Sequence, residues 1–187
     1  MEIKGTAVNA VRELIITRFK PRYNEWLDSL SQDSREIMGK IILANKWYPM
    51  QEALIEPQGK ACKLFYNNGK KNGAWEYGRF IADYDVKKIY KVFFKFGSPA
   101  FTINRAPVIF KTYFSSGEMK IIENSAGKAV LHIVDFPEPN EIVEFAIGGW
   151  IEHTLEMIGC KNIKVKITQS LLKGNSLTEF VMEWSKN

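Results

Sequence analysis

The sequence predicts an α+β domain in which an N-terminal helical lobe precedes a β-β-α-β-β unit with an antiparallel sheet. Apolar residues recur at spacings of three and four through most of residues 1–116, which is typical of packed helices. After residue 117, strand-like hairpins lie on either side of one long helical stretch. We expect a single domain over residues 1–187, with a helical part at 1–116 and the sheet plus the long helix at 117–187.

The first part of the chain predicts several helices separated by turns. Glu2 to Gly5 reads as a short edge strand or an extended lead-in to the first helix. Asn45 to Pro49 predicts a helix entry, because proline suits the first helical turn. Pro57 is expected to interrupt the helix that follows. The segment Asn67 to Gly73, NNGKKNG, has the composition of a loop.

Residues 73–116 hold half of the aromatic residues of the chain. We predict helices at Trp75–Asp85 and along an apolar stripe within Val86–Phe96, and a third helix after Gly97-Ser98-Pro99. Arg105-Ala106-Pro107 predicts a further break. Core packing accounts for most of these rings. Their density also suggests the wall of a pocket, and both interpretations stay open.

The stretch from Glu141 to Ile158 predicts a helix of about five turns. Its apolar residues cover roughly two thirds of its circumference, so it needs partners on two sides, and we place it between the sheet and the helical lobe. Gly148-Gly149 indicates close packing of another element. The remaining face carries glutamates and is expected to face solvent: Glu141, Glu144, Glu152 and Glu156.

The predicted strands form two hairpins, one before and one after this helix. Met119–Glu123 and Lys128–Phe136 flank a turn that contains Gly127. Asn162–Thr168 alternates apolar and basic residues, as a half-exposed strand does. Leu177–Trp184 completes the second hairpin.

Composition excludes several classes of protein. The net charge is +5, but the lysines are dispersed, so we expect solvated faces and no nucleic-acid partner. No signal peptide and no apolar run long enough for a membrane span are apparent. Cys62 and Cys160 lie in unrelated contexts, which favours a reduced, cytoplasmic chain.

Few residues offer chemistry. His132 and His153 are each more simply core residues than ligands or proton carriers. Arg105 could bind a carboxylate or phosphate, or cap the end of the preceding helix. The sequence contains no HExxH, GxSxG, P-loop or CxxC motif. We therefore predict no enzyme, no catalytic residues and no metal site.

Four segments resemble an uncharacterised bacterial family that is described as heme-nitric-oxide-binding-like. They are WYP at 47–49, GRFIADYDVKKIYKVFFKFGSP at 78–99, RAP at 105–107 and IGGWIEHTLEMIGCKNIKV at 147–165. The closing EFVMEW at 179–184 fits the last strand of that family. The wider group includes the H-NOX gas sensors, the four-vinyl-reductase ligand-binding domains and the Bet-three-type trafficking subunits. The resemblance implies an α+β sensor fold with a cavity between helices and sheet.

The heme signature of H-NOX proteins is missing from this sequence. Those proteins have an axial histidine on a helix before the sheet and a Tyr-x-Ser-x-Arg motif on an early strand. Residues 73–116 contain no histidine, and the early strand reads AVLHIVD at 129–135. We therefore expect no heme cofactor.

Three hypotheses remain open. The first is a non-enzymatic sensor for a small apolar or amphipathic molecule, working in signalling through a partner protein or as a homodimer. Its pocket would be lined from Trp75, Tyr84, Tyr90, Phe94, Phe110, Tyr113 and His153, with Arg105 near the mouth. The second is a protein-interaction module with a filled core, and the third is a heme or metal sensor that uses His132 or His153. An internal cavity of a few hundred cubic ångströms would favour the first over the second.

Overall fold

A computed structural model describes residues 1–67, 69–85 and 98–185 of the chain. The helices are α1 Gly5–Arg18, α2 Tyr23–Asp28, α3 Gln32–Gly39, α4 Glu56–Phe65, α5 Gly69–Asp85, α6 Pro99–Tyr113 and α7 Glu141–Met157. The strands are β1 Glu2–Lys4, β2 Trp47–Pro49, β3 Glu118–Ser125, β4 Lys128–Val134, β5 Lys161–Gln169 and β6 Thr178–Ser185. The predicted apolar stripe within Val86–Phe96 lies outside the described residues.

The main sheet has four antiparallel strands in the order β3-β4-β6-β5. With α7 between β4 and β5, the order along the chain is β-β-α-β-β, as predicted. Phe180, Met182 and Trp184 of β6 are buried on one face of the sheet. Because Val165 pairs with Met182 and Ile167 with Phe180, the apolar side chains of β5 lie on this same face.

The segment Trp47–Pro49 is a strand, so the prediction of a helix entry is wrong. It pairs antiparallel with β1, and Ile3 lies opposite Tyr48. The helical backbone begins only after this strand, as a π-helical turn at Gln51–Ile55, and Pro57 lies in the first turn of α4. The pairing of segments far apart in sequence therefore outweighs the local preference of proline for a helix start.

Two predicted interruptions are also wrong. Helix α5 already begins at Gly69, inside the segment predicted to be a loop. Gly73 lies against Cys62 of α4 so closely that a Cβ would overlap the sulfur, which indicates that packing offsets the weak helix propensity of this segment. Helix α6 continues through Pro107 because its buried residues, Ala106 and Phe110, hold both sides of the proline against the core.

Helix α7 lies between α5 and the main sheet, as the width of its apolar surface predicts. The Asn140 side chain caps it by accepting a hydrogen bond of 2.9 Å from the backbone N–H of Ile142. After its last turn, Gly159 adopts a φ of +88°, which favours glycine. Within the described part of the chain, no helix is both long and apolar enough to cross a membrane.

Candidate ligand site

Helices α5 and α7 cross at very short range because three glycines lie at the contact. A Cβ on Gly78 would overlap the carbonyl oxygen of Ala146, and one on Gly149 would overlap the carbonyl oxygen of Trp75. A Cβ on Gly148 would overlap the Trp75 ring. The sequence predicts close packing at Gly148-Gly149, and the structure identifies α5 as the partner. This contact fixes the position of α7 and hence of the residues it carries into the core.

Of the glutamates of α7, Glu156 is exposed as expected, Glu141 and Glu152 are half-buried, and Glu144 is buried. Three of them hold neighbouring elements. Glu144 is buried and accepts hydrogen bonds from the hydroxyls of Ser170 (2.8 Å) and Thr178 (2.7 Å). Glu152 accepts hydrogen bonds from Trp75 Nε1 (2.8 Å) and from Arg79 (2.7 Å).

The same guanidinium binds both carboxylate oxygens of Glu156, at 3.0 and 2.7 Å. This contact lowers the pKa of Glu156, although partial desolvation opposes the effect. Arg79 of α5 therefore links two successive turns of α7.

The two histidines of the chain lie apart from each other and from the interior between α6 and α7. His132 Nε2 lies 2.7 Å from Glu179 across β4 and β6. His153 is between Glu156 (2.8 Å from Nδ1) and Asp83 (3.1 Å from Nε2), beside the crossing of α5 and α7. One ring nitrogen of each histidine is thus hydrogen-bonded to a carboxylate, whereas His153 Nε2 lies near Asp83 without a hydrogen bond to any described residue.

A cavity of about 80 Å³ lies where α6 and α7 meet β1, α1 and α5. Its wall includes Ile3, Ala7, Tyr77, Ile81, Ala106, Phe110, Tyr113, Val143, Ile147 and Trp150. Among the described residues of its lining, the tyrosines and the tryptophan alone carry side-chain oxygen or nitrogen atoms. The hydroxyl of Tyr77 donates to the carbonyl of Ala7 at 2.9 Å. The indole N–H of Trp150 is buried and has no hydrogen-bond partner among the described residues.

The structure distributes the predicted pocket residues over several places. Phe110 and Tyr113 line the cavity. Trp75 lies at the glycine contact, and His153 lies between Asp83 and Glu156. Tyr84 is half-buried and its ring lies 6.2 Å from that of Phe80.

Arg105 is exposed on α6, inside the helix and not beside a break, with its guanidinium 5.1 Å from the Phe101 ring. Tyr90 and Phe94 lie outside the described residues.

From α7, sequence reasoning placed only His153 in the pocket and missed the residues that line the cavity. Val143, Ala146, Ile147, Trp150 and Ile151 all line it. Their spacings of three and four residues are visible in the sequence and mark one flank of the helix. Trp150 is half-buried.

Comparison with solved structures shows the fold. A crystal structure of an H-NOX protein from S. oneidensis in the Fe(II)NO ligation state superposes with a TM-score of 0.72 at 15% identity, over 98% of this chain and 99% of that one. The chain has an H-NOX-like fold.

Two further structures agree with this assignment. The NMR structure of an H-NOX domain from Shewanella oneidensis in the Fe(II)CO state gives a TM-score of 0.73 at 16% identity, over 98% and 99% of the two chains. The Fe(II) unliganded H-NOX protein from K. algicida gives 0.71 at 9% identity, over 98% and 97%. No family model and no curated protein matches the sequence. Within this fold, the cavity is lined by residues of both the helical part and the β-β-α-β-β part of the chain.

Proposed function

We propose that this H-NOX-like chain is a non-enzymatic sensor domain that binds a small apolar molecule in the cavity between α6 and α7. The supporting observation is a space of about 80 Å³ with an almost wholly apolar wall. Protein cores normally leave few voids larger than a water molecule. An apolar cavity of about 150 Å³ in another protein stays dry and takes up benzene or xenon. A space about half that size suits a ligand of only a few heavy atoms.

The residues that line the cavity favour binding of a ligand over catalysis. Of the lining residues that the structure describes, just Tyr77, Tyr113 and Trp150 have side-chain oxygen or nitrogen atoms, and Tyr77 already donates to Ala7. Covalent catalysis usually requires a nucleophile paired with a base. Among its described residues the wall contains no serine, threonine, cysteine, lysine, histidine or carboxylate that could form such a pair. The unpartnered N–H of Trp150 is the candidate donor to a ligand that has one acceptor atom.

The residues of this cavity do not fit heme, although the structural neighbours are H-NOX proteins described with bound Fe(II) states. An H-NOX-type site needs an axial histidine, and neither His132 nor His153 lines the cavity. Its volume of about 80 Å³ also falls below the range of about 300–1,000 Å³ for pockets of drug-sized ligands. We therefore propose a sensor that works without heme.

Xenon binding tests this function directly. In crystals under xenon pressure, we expect density between Phe110 and Trp150. Ala106→Leu, which adds three carbons to the wall, should abolish that density while the variant stays folded. Xenon absent from the cavity of the unchanged protein would contradict the proposal, as would xenon bound equally well in Ala106→Leu.

One observation favours the second hypothesis, a protein-interaction module. The cavity is smaller than the few hundred cubic ångströms that we expected for a ligand pocket. If xenon does not enter and Ala106→Leu is more stable than the parent, the space is a packing defect. The interaction module is then the better account.

A further inference from the structure

A groove on the opposite side of α7 from the cavity follows the free edge of β5. It has a volume of about 930 Å³ and is open to solvent. Phe145 of α7 and Leu172, which follows β5, contribute apolar surface to it. Lys71 of α5 closes its other side, with its ammonium 5.8 Å from the centre of the Phe145 ring. The groove is therefore a cleft with an apolar wall and a basic border.

Four consecutive residues of β5, Val165 to Thr168, line this groove. Successive side chains of a strand point to opposite faces, so a surface that contacts all four must lie along the strand edge. In the described part of the chain β5 pairs only with β6 and is the last strand of the sheet. Its outer row of backbone N–H and C=O groups faces the groove and is available for pairing.

The charges around the groove favour an acidic occupant. Lys71, Lys166 and Lys173 line it, and none of the three has a carboxylate partner among the described residues. Both acidic residues of the lining are already engaged. Glu141 lies 2.8 Å from Lys70, and Glu144 is buried under the Ser170 and Thr178 hydroxyls. The groove thus presents unpaired positive charge beside an apolar wall.

We propose that this groove binds an extended acidic segment of a partner protein, which adds to β5 as a further strand. Main-chain hydrogen bonds to the edge would supply affinity, and alternate side chains would contact Phe145 and the lysines. A second copy of the chain does not fit, because β5 contains three lysines and no acidic residue. Self-pairing would place like charges together and is disfavoured.

The groove and the cavity share helix α7, which could couple binding at the two sites. This coupling rests on the proposed function. Ala146 and Ile147 line the cavity, whereas Glu144 and Phe145, which directly precede them in the sequence, line the groove. A ligand that shifts α7 would change the width of the groove. The acidic segment would then respond to the occupancy of the cavity.

The probe for this test is a fluorescein-labelled peptide of alternating glutamate and valine, titrated into the full chain and followed by fluorescence anisotropy. We expect saturable binding, with slowed hydrogen exchange at the outward backbone amides of β5. Charge reversal of the groove lysines (Lys71→Glu, Lys166→Glu and Lys173→Glu together) should weaken it by about tenfold or more. Matched reversals at Lys20, Lys63 and Lys111, which are exposed outside the groove, should have little effect.

Several results would overturn the proposal. The affinity for the acidic peptide could fall equally with both sets of reversals, or the peptide could bind without slowing hydrogen exchange in β5. A lysine-valine peptide could bind more tightly than the acidic one, or single-stranded oligothymidylate at equal concentration could displace the acidic peptide. Failure to bind the acidic peptide would overturn it too. The Ala106→Leu variant separates the two proposals, because it should lose xenon yet keep the peptide site. If xenon does not bind the unchanged protein but the acidic peptide does, the cavity proposal fails and the groove proposal stands.

Discussion

At the scale of single residues, Glu144 has a structural role that its position in a row of glutamates conceals. Its carboxylate is buried and joins α7 to Ser170 and Thr178, which are buried as well. The same sequence pattern gives Glu141 a partly exposed pair with Lys70. Sequence alone cannot separate the two, since both fall on the face that lacks apolar residues. The difference arises only where the β5–β6 connection meets the helix.

Replacement of Glu144 by alanine should lower the free energy of unfolding by about 1–3 kcal/mol, because two buried hydroxyls lose their acceptor. Chemical denaturation of the variant would measure this. Glu141→Ala, on the same helix, is the matched control and should cost less than about 1 kcal/mol. Equal losses in the two variants would show that Glu144 is no more important than a surface glutamate.

The bond between Arg79 and Glu156 predicts a pH dependence. The pKa of Glu156 lies below its usual value of 4.5, so folding favours the ionised carboxylate. The resulting stabilisation is present above the unfolded-state pKa and disappears as the pH falls through the folded-state pKa. The pair is partly exposed, which keeps its contribution below about 1 kcal/mol. Urea denaturation of the parent and of Glu156→Gln should differ more at neutral pH than at about pH 3. A difference that does not change with pH would contradict this.

At the scale of elements, the crossing of α5 and α7 depends on glycine. Gly78→Ala should cost about 3 kcal/mol or more, because the added methyl group meets the backbone carbonyl of Ala146 and not a flexible side chain. Gly39→Ala in α3 is the control, since a Cβ there meets nothing within 4 Å. That substitution should be neutral or stabilising by about 0.4–1 kcal/mol. Thermal unfolding of both variants decides the matter. A Gly78→Ala protein as stable as the control would mean that the helices cross farther apart.

The type and order of the C-terminal elements could be predicted from sequence, because hairpin turns, the Asn140 cap and the apolar width of α7 are local signals. The errors in the helical part have a common cause. Trp47–Pro49, Gly69–Gly73 and Pro107 carry local signals for one structure while distant partners stabilise another. The cavity was harder still. The high density of aromatic residues indicated the wall of a pocket. Which of these residues line the pocket depends on how α6 and α7 pack.

At the scale of the whole molecule, the cavity joins both parts of the fold. Ile3 and Tyr77 come from the helical part, and Met119 and Val143 from the β-β-α-β-β part. A ligand held there contacts elements on both sides and stabilises the folded chain according to its concentration and affinity. This position is consistent with the proposed sensor, because a ligand in the cavity would contact α7, which packs against the sheet.

The absence of an H-NOX-type heme site is the last prediction, and it concerns the whole chain because the axial ligand of such a site would have to be one of the histidines. There are two histidines, each hydrogen-bonded to a carboxylate, and neither lines the cavity. Reconstitution with hemin should therefore give no stoichiometric Soret band in the absorbance spectrum. His132→Ala and His153→Ala should give the same spectrum as the parent. A band of one heme per chain that either substitution removes would contradict the prediction. It would show that the helices open far enough to admit a porphyrin, and would make the chain a heme sensor with an axial ligand in a new position.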